Sequence, residues 1–432
     1  MLTKKINKIF YKSLNNSSPE KLIINKLKFN KNSIYYKNKK IFTYKKKYYL
    51  ISLGKASQSL ANGFLKSSKN IEDYFIVRHF KSKNKKFNLK KTINSSHPLV
   101  TQKSYIAAKQ LIKFIKKIPS NSDVIFLISG GGSAMLAHPI NELNFNEKSL
   151  FINNLLHMGI GEREVNYFRK KLSSIKSSKT LSYFKDSNIL NIILSDERTN
   201  KIDAISSGIS VPQNQKKINI KLLNKVINQR FCSKKISNLL IKNNQFQPIN
   251  HYSNKVVSHI IGDRFDLVKE LKKNFRSEMN AKNIKYFGHI FEKSFDASIK
   301  KIYKSLNEFY SNGKKGINIL IFTGEIPVKA NLKSKGGRNQ HLSAVFIEKL
   351  KNYKNFSFSC FSTDGCDYLK GVHGAFIDNF VIKKIYKNKI KYNKYINNTN
   401  TFYLHKKTKS LFYGDYSDNN FSDFYIFSYL ND

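Results

Sequence analysis

The sequence predicts an α/β protein built as two α/β domains with mostly parallel sheets. Three observations predict it. Strand and helix signals alternate along nearly the whole chain. The polar, glycine-bearing segments all fall at the C-terminal ends of apolar strand runs, and in parallel sheets those ends share one edge. The pattern then weakens over residues 213–256 and restarts. That places a first domain at 1–250 and a smaller one at 254–432, facing each other across a cleft lined by both sets of turns. The last strand is a candidate to pack back on the first domain.

Composition narrows the class. A chain of 432 residues with 40% hydrophobic and 13% aromatic content can fill two cores. The formal charge of +50 invites a nucleic-acid reading, but only eight of the 78 basic residues are Arg. The Lys is spread evenly, alongside abundant Asn, Ile and Tyr, as an AT-rich coding sequence would give. Readers of nucleic acid concentrate their charge and favour Arg, so no nucleic-acid partner is expected. Cys232, Cys360 and Cys366 form no CxxC pair, which argues against a zinc site or a disulfide framework and fits a reducing cytoplasm. The basic N-terminus lacks an apolar segment behind it, and no run reaches membrane-spanning length, so neither a signal peptide nor a membrane partner is expected.

Taken in order, the chain opens with a helix over residues 1–20 and a Lys-rich stretch of loop and strand edge over 31–47. An apolar run at 48–53 is the first strong strand, and it delivers Gly54, Lys55, Ala56 and Ser57 to its turn. Lys55 there is either solvated or poised at a ligand edge. A strand at 74–77, a charged loop at 81–91 and a turn carrying His97 and Pro98 follow. The next helix, over 101–117, sets Leu111, Ile112 and Ile115 on one face. The unbroken apolar run 124–128 reads as a strand buried on both faces. It ends in Ser129, Gly130, Gly131, Gly132 and Ser133, a turn that lets backbone N–H groups approach an anion, with a helix start behind it. The bland alternative is a tight turn with no ligand. Helices are expected at 147–158, stopped by Gly159 and Gly161, and at 164–176, the latter carrying Asn166 and Arg169. A strand at 189–194 delivers Ser195 and Asp196, the carboxylate serving magnesium, a substrate hydroxyl or its own turn. After a loop with Ser206, Ser207 and Gly208 come helices near 217–228 and 233–241 and a polar linker at 245–253. The second domain reads as a strand at 256–261, helices at 264–282 and 295–311, and a strand at 317–322 ending in Thr323, Gly324 and Glu325. Next come the glycine turn with Gly337, Arg338, Asn339 and Gln340, a strand at 356–361 ending before Asp364, and a last strand at 423–427.

Gathered at the strand ends, two glycine-flanked cations, a glycine turn and several carboxylates suit phosphoryl transfer. That chemistry needs donors and cations around phosphate oxygens and carboxylates for magnesium. There is no G-x-x-x-x-G-K-[ST] P-loop, no G-x-S-x-G elbow, no kinase signature set, and no G-x-G-x-x-G after a strand.

The joint order of motifs is more specific than any one of them. G-K-A-S, S-S-H-P-L, I-S-G-G-G-S-A-M-L, E-x-N-x-x-R-K-x-L-S-x-I-K, L-S-D, S-S-G, T-G-E, G-G-R-N-Q and T-D-G-x-D follow one another here. That order resembles the glycerate 2-kinases, with an N-terminal glycerate kinase region and a C-terminal MOFRL region, over roughly residues 45–427. The resemblance implies a Rossmann-like first domain and ATP-dependent phosphorylation of the 2-hydroxyl of D-glycerate, or of a related hydroxy acid, with Mg2+. It implies a cytoplasmic enzyme, with a homodimer as a candidate assembly. By motif, Lys55 and Arg338 match the family's catalytic pair. Ser129, Gly130, Gly131, Gly132, Ser133, Asn166, Arg169, Glu325 and Asn339 are candidates for phosphate or substrate binding, and Asp196 and Asp364 for the metal. The chain departs from the family at several points. Thr199 and Asn200 stand where S-D-V-x-G-D has Gly and Asp, and Ser177 and Ser178 where I-K-G-G has two glycines. Ile326 follows Glu325 in place of Thr, His341 replaces the Glu after G-G-R-N-Q, and Tyr368 replaces the Gly of D-G-x-D-G. A catalytically silent relative that binds a metabolite or partner is therefore the alternative, and substrate-stimulated loss of ATP separates the two.

Overall fold

The structure, a computed structural model, describes residues 2–80, 91–158, 160, 162–213, 218–244, 254–292, 294–329 and 334–431. Most of the charged loop expected at 81–91, the linker expected at 245–253, and Gly159 and Gly161 lie outside the described residues. The chain forms two compact units, Pro19–Asp263 and Met1–Ser18 with Arg264–Asp432.

The first unit carries a six-stranded sheet of β1 (Tyr48–Leu53), β2 (Ile71–His79), β3 (Thr92–Ser95), β4 (Asp123–Ser129), β5 (Asn188–Leu194) and β6 (Lys255–Gly262). Every pairing is parallel, in the order β3-β2-β1-β4-β5-β6. This is the doubly wound order whose direction of winding reverses between its first and fourth strands. The reversal lies between β1 and β4, whose ends carry Gly54-Lys55 and the triple glycine. Every residue of β4 is buried, as its unbroken apolar run requires. Leu53, Val77, Leu111, Phe126, Ile128 and Ile193 share one core. The only side chain of β5 that breaks its apolar run, Asn191, is fully paired: its amide donates to Ser210 O and Ser258 Oγ, and its Oδ1 accepts from Ser210 Oγ. A three-stranded antiparallel meander, Leu27–Asn30, Ser33–Tyr36 and Lys39–Thr43, occupies the stretch expected as loop and strand edge.

The domain boundary differs from the expected one at both ends. β6 pairs with β5 and so completes the first sheet rather than opening the second domain. The expected first helix is two, Leu2–Asn16 and Pro19–Lys26, divided at the unit boundary. Leu2–Asn16 packs within the unit of residues 264–432. Phe10 stacks on Phe361 at 3.9 Å between centroids, and Thr3 Oγ1 donates to Asp378 Oδ2 at 2.7 Å.

The second unit holds β7 (Asn283–Ile290), β8 (Gly316–Gly324), β9 (Phe356–Ser362), β10 (Val372–Asp378), β11 (Leu411–Tyr413) and β12 (Asp423–Asn431), ordered β7-β8-β12-β9-β10-β11. Here the expectation of a mostly parallel sheet fails. Only β7 and β8 are parallel, and the other four pairings are antiparallel. Two of the four come from β10, which runs against both β9 and β11, and two from the last strand. β12 does not pack back on the first domain but inserts between β8 and β9, running against both. Its first residue, Asp423, pairs with Gly324 at the end of β8 and Ser362 at the end of β9. One antiparallel strand thereby brings residues 324, 362 and 423 to a single edge.

Candidate active site

At the winding reversal of the first unit, the ends of β1 and β4 are laced together by main chain. Lys55 N–H donates to Gly130 O at 2.9 Å, and Ala56 N–H donates to Ser129 Oγ at 3.0 Å. Gly54, at φ +106°, allows this approach, because a Cβ there would lie 2.3 Å from Ser129 O. Gly131, at φ +85°, would place a Cβ 2.8 Å from Lys55 Cγ and 3.1 Å from His97 Cδ2. The stem of Lys55 and the ring of His97 therefore lie over the glycine turn. His97 is a site neighbour that the motif reading left as a structural turn residue.

The serines that bound the glycines face inward. Ser129 Oγ donates to Leu53 O at 3.4 Å. Arg169 Nη1 donates to Asn166 Oδ1 at 3.2 Å, so that oxygen is fixed as an acceptor and Ser133 Oγ must donate to it, also at 3.2 Å. The only proton of Ser133 is thus committed, and the 2.7 Å contact with Ser207 Oγ has Ser207 as donor. Gly132 N–H donates to Ser206 Oγ at 3.1 Å. The helix behind the turn is only four residues, Gly132–Met135, so the helix dipole expected there is small. What the turn presents is shape, a lysine and the remaining backbone donors rather than serine hydroxyls.

Behind it lie buried cations. The helix expected to reach 176 ends at Lys171, and the chain turns so that Lys176 donates to Leu136 O. Lys148 donates to His138 O at 2.8 Å and Lys179 to Ser173 O at 2.7 Å. Burial, reinforced by Arg169, pushes Lys176 down to about 7, and burial pushes Lys179 down to about 8. Lys176 and Lys148 tie down the segment that leaves the glycine turn, and Lys179 the end of the helix that carries Arg169. Asp196 follows β5, half-buried, one strand further along the sheet edge than Ser129. Beyond it Glu197 closes its own loop by accepting from the N–H groups of Thr199 and Lys201, at 2.6 and 3.1 Å. Asn200 Nδ2 donates to Asp263 Oδ2 at 2.7 Å. The position that lost a carboxylate is therefore in contact with one.

In the second unit the site is an arginine held by acids. Arg338 opens the helix Arg338–Leu350. Its Nη1 pairs with Glu325 Oε2 at 3.0 Å and its Nε with Asp423 Oδ2. Asp423 is 1% exposed, and burial pushes its carboxyl up to about 7, against the pull of Arg338 and with a further push from Glu325. The two acids hold the guanidinium charged. The helix itself is seated by Asp367, which accepts from the N–H groups of Asn339 (3.1 Å) and Gln340 (2.9 Å) and from Gln340 Nε2 (2.9 Å). Gly337 leaves room for this, since its Cβ would lie 2.2 Å from Asp367 Cγ. Asn339, a candidate ligand group, is fully buried, and its amide nitrogen is turned to Asp367 at 3.3 Å. Asp364 Oδ1 accepts from Ser362 Oγ (2.7 Å) and Cys366 N–H (2.9 Å), bracing its own turn. Burial pushes His341 down to about 4, so it is a neutral ring packed 5.0 Å from Phe295. The motif reading passed over Asp367 and Asp423. The T-D-G-x-D spacing signals the first, whereas nothing local marks the second, which depends on strand insertion.

Residues 5–240 match the model of a family described only as a domain of unknown function, DUF4147, and residues 318–423 match the MOFRL family. A glycerate 2-kinase of Sulfurisphaera tokodaii is 30% identical over 77% of this chain and 79% of its own length. The chain belongs to the glycerate 2-kinase family. A glycerate 2-kinase of Picrophilus torridus is 24% identical over 99% of this chain and 96% of its own. A solved glycerate kinase of Thermotoga maritima has the same fold, with a TM-score of 0.77, 20% identity, and coverage of 100% of this chain and 99% of that one.

Against the glycerate 2-kinase pattern, several departures keep the backbone while changing the side chain. Ser177 and Ser178, in place of two glycines, have φ of 59° and 61°, and Tyr368, in place of another, has φ of 65°. The left-handed conformation that the glycines would supply freely is retained by residues for which it is strained.

Proposed function

We propose that this chain transfers the terminal phosphoryl group of ATP to the 2-hydroxyl of D-glycerate, giving 2-phosphoglycerate, or to the same hydroxyl of a related hydroxy acid. The observation that carries this reading is Arg338. In a chain similar along most of its length to glycerate 2-kinases, that arginine is kept charged by Glu325 and Asp423 at one sheet edge. A fixed guanidinium suits a carboxylate or a phosphoryl oxygen, both of which it can meet with two parallel N–H groups. Lys55, set over the glycine turn, supplies a second cation on a main-chain frame. Phosphoryl transfer asks a protein for positioning and charge rather than covalent chemistry, and these two cations are the groups we assign to it.

Magnesium fits as a partner of the nucleotide. Among the described residues no group of three or more His, Cys, Asp and Glu could hold a metal. Mg2+ that arrives on phosphates needs only one or two protein carboxylates, and Asp196 or Asp364 would serve. Bound there, it would neutralise phosphate charge. No helix among the described residues is long and apolar enough to cross a membrane, and a cytoplasmic enzyme acting on a small molecule fits this reading.

The test is ADP release with ATP and magnesium, with and without D-glycerate, for the wild-type chain and for Lys55→Ala and Arg338→Ala. We expect glycerate-dependent release, reduced on the order of 100-fold or more by either substitution. Silence with glycerate and with a panel of 2-hydroxy acids would refute the proposal.

A further inference from the structure

The loop Ile205–Ser207 and the Gly208 that follows it hold the glycine turn from beneath. Ser206 adopts φ 49° and ψ 28°, Ser207 φ 58° and Gly208 φ 59°. Three consecutive left-handed residues are unusual, and two of them are not glycine. The loop is pinned in that shape by Ser177 N–H donating to Ser207 O at 3.0 Å and Ser178 N–H donating to Gly208 O at 2.8 Å. A loop needed only as a turn would be better served by glycine at all three positions.

The hydroxyls give the reason for serine. Ser206 Oγ accepts from Gly132 N–H at 3.1 Å and donates to Ser129 O at 2.6 Å, bridging the two ends of the triple glycine. A Cβ on Gly132 would sit 2.4 Å from that oxygen, so no other residue fits above it. Ser207 Oγ donates to Ser133 Oγ, which in turn donates a hydrogen bond to Asn166 Oδ1, where Arg169 also donates. The four serines involved, Ser129, Ser133, Ser206 and Ser207, are all buried, none more than 5% exposed.

We infer that Ser206 and Ser207 are positioning residues: their hydroxyls fix the shape of the glycine turn against which Lys55 is set, and the left-handed backbone is retained to aim them. This inference rests on the proposed function only for its kinetic consequence. The geometric claim stands apart from it.

The decisive variants are Ser206→Gly and Ser207→Gly. Glycine takes the left-handed backbone without strain, so each removes a hydroxyl while relieving the loop. Two readouts are taken beside the melting temperature: amide hydrogen exchange across residues 129–134, and kcat and KM for D-glycerate with MgATP. Relief of the left-handed strain offsets only part of the cost of the two lost hydrogen bonds, so for Ser206→Gly we expect a melting temperature modestly below wild type. Exchange at the Gly132 amide should be at least about tenfold faster, and kcat should fall about tenfold with KM changed less. Ser207→Gly should move both in the same direction by a smaller factor. Unchanged exchange, unchanged kinetics in an active wild-type chain, or a loss of activity that merely follows the fraction unfolded would each overturn the inference. If the wild-type chain phosphorylates none of the acids, the proposed function falls, and the exchange measurement alone decides this one.

Discussion

In the unit of residues 19–263, the cation at the sheet edge is set by main chain. Lys55 hangs on a turn whose shape comes from Gly54, Gly131 and a network of serine and backbone hydrogen bonds. In the other unit the cation is set by acids. Arg338 is gripped by Glu325 and Asp423, and its helix is seated by a third acid, Asp367. The hydrogen bonds that shape that turn come from main chain and serine, which do not titrate, whereas the lysines that tie down the chain behind it do. A frame of buried carboxylates depends on the charge it encloses, so losing the arginine should disturb it far more than losing the lysine disturbs the glycine turn.

The largest effect expected from that contrast is on Arg338→Ala. Removing the guanidinium leaves Asp423 buried beside Glu325 with its compensating charge gone, and its carboxyl should rise above the value near 7 that it has now. A carboxyl whose folded pKa lies above its unfolded value binds protons more tightly when folded. It is harmless while protonated at low pH and destabilising as pH rises through the folded pKa. Arg338→Ala should therefore unfold with near wild-type stability at pH 4 and fall behind by about 2 kcal/mol above pH 7. That is the low end for a broken buried pair, since the arginine is 35% exposed and partly screened. Adding Asp423→Asn should recover most of the deficit. Urea unfolding across pH 4–9 measures it, since the two chains part only above the wild-type value near 7, and a deficit that does not depend on pH would refute the acid-frame picture.

The same contrast explains what could be read in the sequence. The first frame is written in short segments: an apolar run, a glycine turn and a lysine next to a glycine each specify local backbone, so Lys55 and residues 129–133 were legible as one edge of a parallel sheet. The fold of that unit was legible for the same reason, save for the meander at 27–43, the short β3, and β6, which was read as the first strand of the other domain. The second frame is not local. β7 was missed because its polar and glycine-broken pattern, with Lys285 and Gly288, belongs to a half-exposed edge strand. The insertion of β12 between β8 and β9 was missed because nothing in an apolar strand states its neighbours. With that insertion went the meeting of Asp423, Glu325 and Arg338. The hydrogen-bond partners of the Ser129 and Ser133 hydroxyls were not legible either. A hydroxyl's direction depends on Leu53, Asn166 and Arg169, which only the fold brings near.

A smaller effect sharpens the other side of the comparison. Lys176, 1% exposed, is pushed down to about 7, far below the ~10.4 of an unfolded lysine. A base whose folded pKa is depressed binds protons less tightly when folded, so it destabilises the fold while charged, and the fold gains stability as pH rises from 7 toward 10. Lys179, pushed down to about 8, adds a slope of the same sign. Lys176→Met keeps the volume and removes the charge. We expect it to exceed wild type by about 1 kcal/mol at pH 6, with the gap closing by pH 10. A constant offset across that range would mean that the bond to Leu136 O, and not the charge, governs the site.

The smallest effect concerns a glycine position that the acidic frame has lost. Tyr368 sits next to Asp367 at φ 65° and is 63% exposed. A left-handed conformation costs an L-residue roughly 1–2 kcal/mol, offset in part by the lower chain entropy that a side chain confers on the unfolded state. Tyr368→Gly should therefore raise stability by about 0.5 kcal/mol and leave the grip of Asp367 on Asn339 and Gln340 intact. A comparable gain from Ser177→Gly in the first unit would show the same economy of backbone in both frames. If Tyr368→Gly instead lowers stability, the ring contributes packing that its exposure conceals, and the seat of the arginine helix depends on more than the carboxylate beneath it.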